Sequence, residues 1–177
     1  MTDRLNLQDI RDLASGDKVR SFDEMPALIY NLKLHGQRVV LAQGVFDVLH
    51  LGHSQYLEAA ARHGFVVVGV ENDDAVRLNK GPTRPINSLR ERMLSVAAFR
   101  SVGFVFGYKD ALAYDDSAAY VERYRALCAS VAIPFGDPNT RLKARQAVEA
   151  EVDTVLIFDK PQPNSTTQML SRIGYPE

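Results

Sequence analysis

From about residue 38 onward the chain alternates two kinds of segment, and that alternation leaves it few folds. Five short apolar runs rich in β-branched residues read as buried strands: 38–42, 65–70, 103–106, 131–135 and 154–158. Between them lie segments with apolar residues at helical spacing. Residues 53–63 carry apolar residues on one side and run into Gly64, a residue suited to a helix end. Asn87 or Ser88 can cap a helix over 89–99, in which Leu89, Met93, Val96 and Ala97 share a face. Residues 117–129 and 140–150 supply two more helices. Strands separated by helices pair in parallel through crossover connections. The expected fold is therefore α/β: a Rossmann-like open parallel sheet of about five strands with helices on both faces. Ligands of such sheets bind beyond the strand C-termini, where the strand order reverses. Met25, Leu28, Ile29 and Leu32 predict a helix ending at Gly36. Residues 1–37 thus read as an N-terminal helical extension packed on one domain spanning 38–177.

Composition narrows the partners. A chain of 177 residues that is 46% hydrophobic and 24% charged is long and apolar enough for a single buried core. Its formal net charge of -1 favours neither nucleic acid nor a membrane surface, so anion binding must come from a few locally placed cations. The single Cys128 excludes an internal disulfide and fits a reducing compartment. The first twenty residues carry charges throughout, with no signal-peptide core, and no apolar stretch is long enough to span a bilayer. A cytoplasmic location is expected.

The first strand runs into Gln43-Gly44-Val45-Phe46-Asp47-Val48-Leu49-His50-Leu51-Gly52-His53, where a helix begins. Several requirements of phosphate binding meet there. A helix N-terminus offers unpaired N–H groups and a positive dipole end. Gly52 lets a triphosphate approach the backbone, and Gly44 can do the same for a nucleoside. His50 and His53 flank Gly52 and suit the stabilisation of charge that grows as pyrophosphate leaves. A metal site would need further ligands, and His35 and His63 fall at predicted helix ends without ligand spacing.

The stretch GVFDVLHLGH resembles the GxFDxxHxGH signature of the cytidylyltransferase-like nucleotidyltransferases. Residues 79–92, NKGPTRPINSLRER, are similar to a segment of the adenylyltransferase domain of ADP-heptose synthase. Gly136-Asp137 stands where the family carries a glycine–aspartate pair, Ser165-Thr166-Thr167 where it carries its last helix start, and residues 18–24 resemble the lead-in to the heptose domain. The resemblance covers residues 18 to 172. It implies in-line attack of an acceptor phosphate on the α-phosphorus of an NTP that enters with Mg²⁺. His50, His53 and Lys80 would be catalytic. Gly44, Val45, Phe46, Gly52, Gly136, Asp137, Lys160, Ser165, Thr166 and Thr167 would bind the nucleotide. Asp47, Asp73, Arg84 and Arg92 would contact the acceptor, although Asp47 can equally brace its turn and Asp73 can cap the helix that follows. A small-molecule NTP, a phosphorylated acceptor and a homodimeric assembly complete the expectation, with ATP and a heptose 1-phosphate as the leading pair.

The pattern also departs from the family. Lys160 replaces an arginine and loses its bidentate fork. Pro163-Asn164 precedes the serine, Glu71 stands where asparagine is common, and Gln43 replaces a smaller residue before the first glycine. Pro138-Asn139 follows Gly-Asp where cytidylyltransferases often place tryptophan. These changes gather around the base and the acceptor. They keep open a CTP-dependent enzyme acting on a polyol or amino-alcohol phosphate or a phosphonate, and a nucleotide-binding protein with a decayed site.

Overall fold

The apolar runs of the sequence become the strands of one parallel sheet. A computed structural model of the chain describes residues 17–134, 139–157, 170 and 172. Strand β1 (Val19–Arg20) leads into a 3-10 turn and helix α1 (Met25–Leu34). The chain continues through β2 (Val39–Gly44), α2 (Leu51–Ala61), β3 (Phe65–Val70), α3 (Asp73–Lys80), α4 (Leu89–Ala97) and β4 (Phe104–Gly107). It then forms α5 (Ser117–Leu127), β5 (Ser130–Pro134), α6 (Thr140–Glu149) and β6 (Thr154–Ile157). The strand order is β1-β4-β3-β2-β5-β6, and every pairing is parallel.

Alternation along each strand sorts the core into two layers. Val39, Leu41, Val67 and Ile133 pack with Ile29 of α1, Tyr124 and Leu127 of α5, and Ala147 of α6. Val40, Ala42, Val66 and Val68 pack on the other face with Leu57 and Ala60 of α2 and Val96 of α4. Burying each valine or leucine contributes roughly 1.5–3 kcal/mol, which explains why continuous β-branched runs settle in the centre of a sheet covered on both sides. Among the described residues, no helix is long and apolar enough to cross a membrane.

The sheet has six strands rather than five. Val19–Arg20 pairs with Val105 and Phe106 at the outer edge of β4, and two residues are too few to show any periodicity in sequence. Residues 19–34 thus supply an edge strand and part of the core: Met25, Leu28, Ile29 and Leu32 are all buried.

Helix boundaries shift where caps decide them. The second helix starts at Leu51 rather than at residue 53, because His50 caps it. Ser88, not Asn87, caps α4, closing a capping box with Glu91. Cys128 takes a left-handed conformation at φ 48 and ends α5.

The topology opens the site. From β2 the chain builds β3 and β4 outward on one side, then returns to place β5 and β6 on the other, so the order reverses between β2 and β5. Pairing between these two strands stops at Leu41 and Val131, although β2 runs on to Gly44 and β5 to Pro134. Beyond that point the strand ends border a cavity.

Candidate functional site

The turn after β2 is fixed by its own histidines. Phe46 sits at φ 50, a strained conformation for an aromatic residue. Its ring packs against His53 with centroids 5.2 Å apart. His50 is extended, at φ -141 and ψ 170, and its side chain accepts a hydrogen bond from the Gly52 N–H. The bond joins Gly52 N to His50 Nδ1 at 3.1 Å, while His50 N–H donates to His53 Nδ1 at 3.3 Å. The two imidazoles lie 3.9 Å apart, inclined by 30°. Because both Nδ1 atoms accept, each neutral ring carries its proton on Nε2. Burial lowers the pKa of His50. Burial, His50 and Lys80 together push His53 down to about 3. At neutral pH His53 is therefore an uncharged Nε2–H donor, and negative charge brought beside it raises its pKa.

Asp47 braces the loop that follows α3. Its carboxylate accepts from Arg84 Nε at 2.9 Å, Ile86 N–H at 3.0 Å and Asn87 N–H at 2.8 Å. Arg84 adds an ion-pair contact at 2.7 Å. Burial opposes ionisation, but the N–H groups of Asn87 and Ile86 and the Arg84 guanidinium overcome it, and the pKa lies below the ordinary aspartate value. Arg92 is fully buried and donates to Val45 O, Asn87 O and Asp73 Oδ1. These contacts tie α4 to the turn after β2 and to the start of α3.

A cavity of about 390 Å³ lies at the strand ends. Gly44, Val45, Phe46 and His53 border it on the side of the turn, and Lys80 reaches it from the end of α3. Lys80 is exposed to solvent, yet crowding by surrounding protein, with Arg84 nearby, lowers its pKa.

The opposite wall is a buried polar network on the α5 and α6 side of the sheet. Glu71 accepts from Tyr120 Oη at 3.1 Å, and both of its oxygens lie 3.2 Å from Arg123 Nη1. The Arg123 guanidinium stacks 3.9 Å above the Tyr108 ring. Tyr108 Oη donates to Gln43 Oε1 at 3.2 Å, and Gln43 Nε2 donates to Tyr124 Oη. Burial, reinforced by Glu71, raises the pKa of Tyr120 and of Tyr108, so both phenols stay protonated donors. Gly69 makes room for this arrangement: a Cβ there would lie 2.6 Å from the Tyr108 ring.

Of the residues singled out in the sequence, Gly44, Val45, Phe46, His53 and Lys80 line the cavity, and His50 stacks on one of them. Asp47, Arg84, Arg92 and Asp73 do not line it; they hold one another and the backbone. Asp47 braces the loop at Arg84, Ile86 and Asn87 rather than the turn before His50. Asp73 is not the helix cap: Asn72 is, accepting from Ala75 N–H at 2.8 Å. Gly52 is buried in the first turn of α2. Gly136, Asp137, Lys160, Ser165, Thr166 and Thr167 lie outside the described residues. Sequence reasoning missed Tyr56, Tyr114, Tyr120, Leu142, Lys143 and Gln146, which also line the cavity. Glu71, Gln43 and Asn139 were visible only as departures from the family pattern.

The cytidylyltransferase-like family model matches residues 41–127, from within β2 to the end of α5. This segment is a cytidylyltransferase-like domain. Curated relatives similar to this chain include several named Bifunctional protein HldE. The protein of that name from Chromohalobacter salexigens is 44% identical over 110 residues, covering 59% of this chain and 23% of that one. The one from Alkalilimnicola ehrlichii is 34% identical over 161 residues, covering 90% of this chain and 32% of that one. The chain thus spans about a third, or less, of the length of the curated relatives it matches. Among solved structures, the lipopolysaccharide core biosynthesis protein from Thermoplasma volcanium aligns with a TM-score of 0.56 at 23% identity, over 71% of this chain and all of that one. Pantothenate synthetase from Thermus thermophilus aligns with a TM-score of 0.51 at 15% identity, over 80% of this chain and 61% of that one. Both place the cytidylyltransferase-like domain in a shared fold.

Proposed function

We propose that this chain transfers a nucleoside monophosphate from an NTP to a small phosphorylated acceptor and releases pyrophosphate. The observation that carries the reading is the histidine pair at the strand-order reversal, two neutral imidazoles with Nε2–H donors, with Lys80 lining the same cavity beside them. A phosphate oxygen of the acceptor attacks the α-phosphorus; the new P–O bond forms as the bond to the β-phosphate bridge breaks, and the electron pair leaves on pyrophosphate. No protein nucleophile takes part. Mg²⁺ belongs to the substrate and enters with the triphosphate. His50 and His53 donate to phosphate oxygens, Lys80 supplies a mobile positive charge, and the rigid turn holds the donors in place before substrate arrives.

ATP with a heptose 1-phosphate is the favoured pair, supported by relatives named HldE that match over nine-tenths of the chain. CTP with a polyol phosphate, an amino-alcohol phosphate or a phosphonate is the second reading; it rests on Glu71 and Gln43, two departures from the family pattern that line this cavity. A pyrophosphate-release screen of NTPs against phosphorylated acceptors decides between them: turnover is expected with ATP and heptose 1-phosphate, and a CTP preference assigns the second reading. NTP binding with no turnover on any acceptor refutes transfer and indicates a binding protein. His53→Ala is expected to cut turnover by ~10²–10³ with circular dichroism unchanged; a wild-type rate in that variant sinks the proposed site.

A further inference from the structure

Gln146 is 2% exposed, sits on α6 and lines the cavity. Its Nε2 has no hydrogen-bond partner among the described residues. A buried amide donor left unpaired is costly to the fold, and native proteins rarely keep one without use. The neighbouring Ala147 belongs to the apolar layer with Leu41, Ile133 and Tyr124, so this stretch of α6 packs on the face of the sheet that bears Gln43 and Glu71. The cavity therefore has two chemically different ends. His53 and Lys80 offer donors suited to phosphate. Glu71, Tyr120 and Gln146 offer a carboxylate, a phenol and a free amide N–H, the mixture of acceptors and donors that hydroxyl groups require.

We propose that Gln146 is a specificity-determining residue that donates its Nε2–H to a hydroxyl oxygen in the polyol body of the phosphorylated acceptor, whose phosphate faces His53 and Lys80. The proposal rests on the nucleotidyl-transfer reading and adds to it the class of acceptor: a polyhydroxylated phosphate ester rather than an amino-alcohol phosphate or a phosphonate. Its logic is that of a site built to satisfy a substrate hydroxyl, where a missing partner leaves buried polar groups unpaired.

Gln146→Met keeps the length of the side chain and removes the donor. Its steady-state kinetics are measured with ATP and heptose 1-phosphate and with CTP and glycerol 3-phosphate, beside the wild type and together with thermal melting. With the pair that the wild type turns over, the acceptor KM is expected to rise by ~10-fold or more. The NTP KM should stay within ~2-fold, and the melting temperature should equal or exceed that of the wild type, since an unpaired buried amide has gone. An increase in the NTP KM with an unchanged acceptor KM overturns the proposal and assigns the amide to the nucleotide. Unchanged values for both substrates leave Gln146 no ligand, and a clear drop in melting temperature shows that the amide serves the fold; either overturns it. Turnover on an amino-alcohol phosphate or a phosphonate, with none on either pair, overturns this inference while the transfer reading stands; no turnover on any acceptor of the pyrophosphate screen sinks both.

Discussion

Two buried acid–arginine pairs stand near the same strand ends and differ in what surrounds them. Asp47 and Arg84 face inward from the cavity, and the carboxylate is saturated by the N–H groups of Ile86 and Asn87 in addition to the guanidinium. Glu71 and Arg123 line or back the cavity wall, at a longer 3.2 Å, with a single phenol as the further donor. A carboxylate can accept about four hydrogen bonds, so Asp47 is nearly filled while Glu71 has capacity left. The first pair holds a loop. The second keeps an acceptor available to whatever occupies the cavity.

Isosteric amides break or sharpen this contrast. Asp47→Asn turns an acceptor toward donors that are already in place, leaving a buried guanidinium and backbone N–H groups poorly satisfied. Unfolding in urea should show a loss of ~3–5 kcal/mol. Glu71→Gln retains an oxygen for Arg123, and the same measurement should show a smaller loss, ~1–2 kcal/mol, with a raised acceptor KM as its main effect. Equal losses in stability would erase the distinction between the two pairs. The smallest effect concerns pH. Asp47 titrates below the ordinary aspartate value in the folded protein, so its contribution is present above the unfolded pKa and fades as pH falls through the folded one. The gap in melting temperature between wild type and Asp47→Asn should therefore narrow below pH ~4; a constant gap would mean that the carboxylate charge contributes nothing.

The central strands and most helices were legible because burial on both faces writes itself as continuous apolar runs, as in Val66-Val67-Val68. The histidine turn was legible because its chemistry is local: cap, glycine and second histidine fall within four residues. The rest of the site is not local. Asp47 meets Arg84 across 37 positions, and Tyr120, Arg123 and Gln146 look like ordinary helix residues until the fold carries α5 and α6 to the strand ends. The resemblance assigns Arg92 to the acceptor, yet its guanidinium is wholly buried and donates to three oxygens of the protein itself, two of them backbone carbonyls that no local pattern announces. In Asn72-Asp73-Asp74 any residue can cap a helix, and only the backbone decides that Asn72 does.

The two-residue strand β1 carries a consequence for the edge of the sheet. A parallel sheet that ended at β4 would present Val105 and Phe106 with an open row of backbone donors and acceptors, a template for pairing with another chain. Val19–Arg20 occupies that row, the Val105 N–H donates to Lys18 O, and Arg20 lies 5.4 Å from the centre of the Phe104 ring. So short a strand has little outer edge of its own to offer, and it carries a charge. The segment ahead of α1 thus covers a β4 edge whose backbone groups would otherwise lack strand partners, a contribution separate from any chemistry in the cavity.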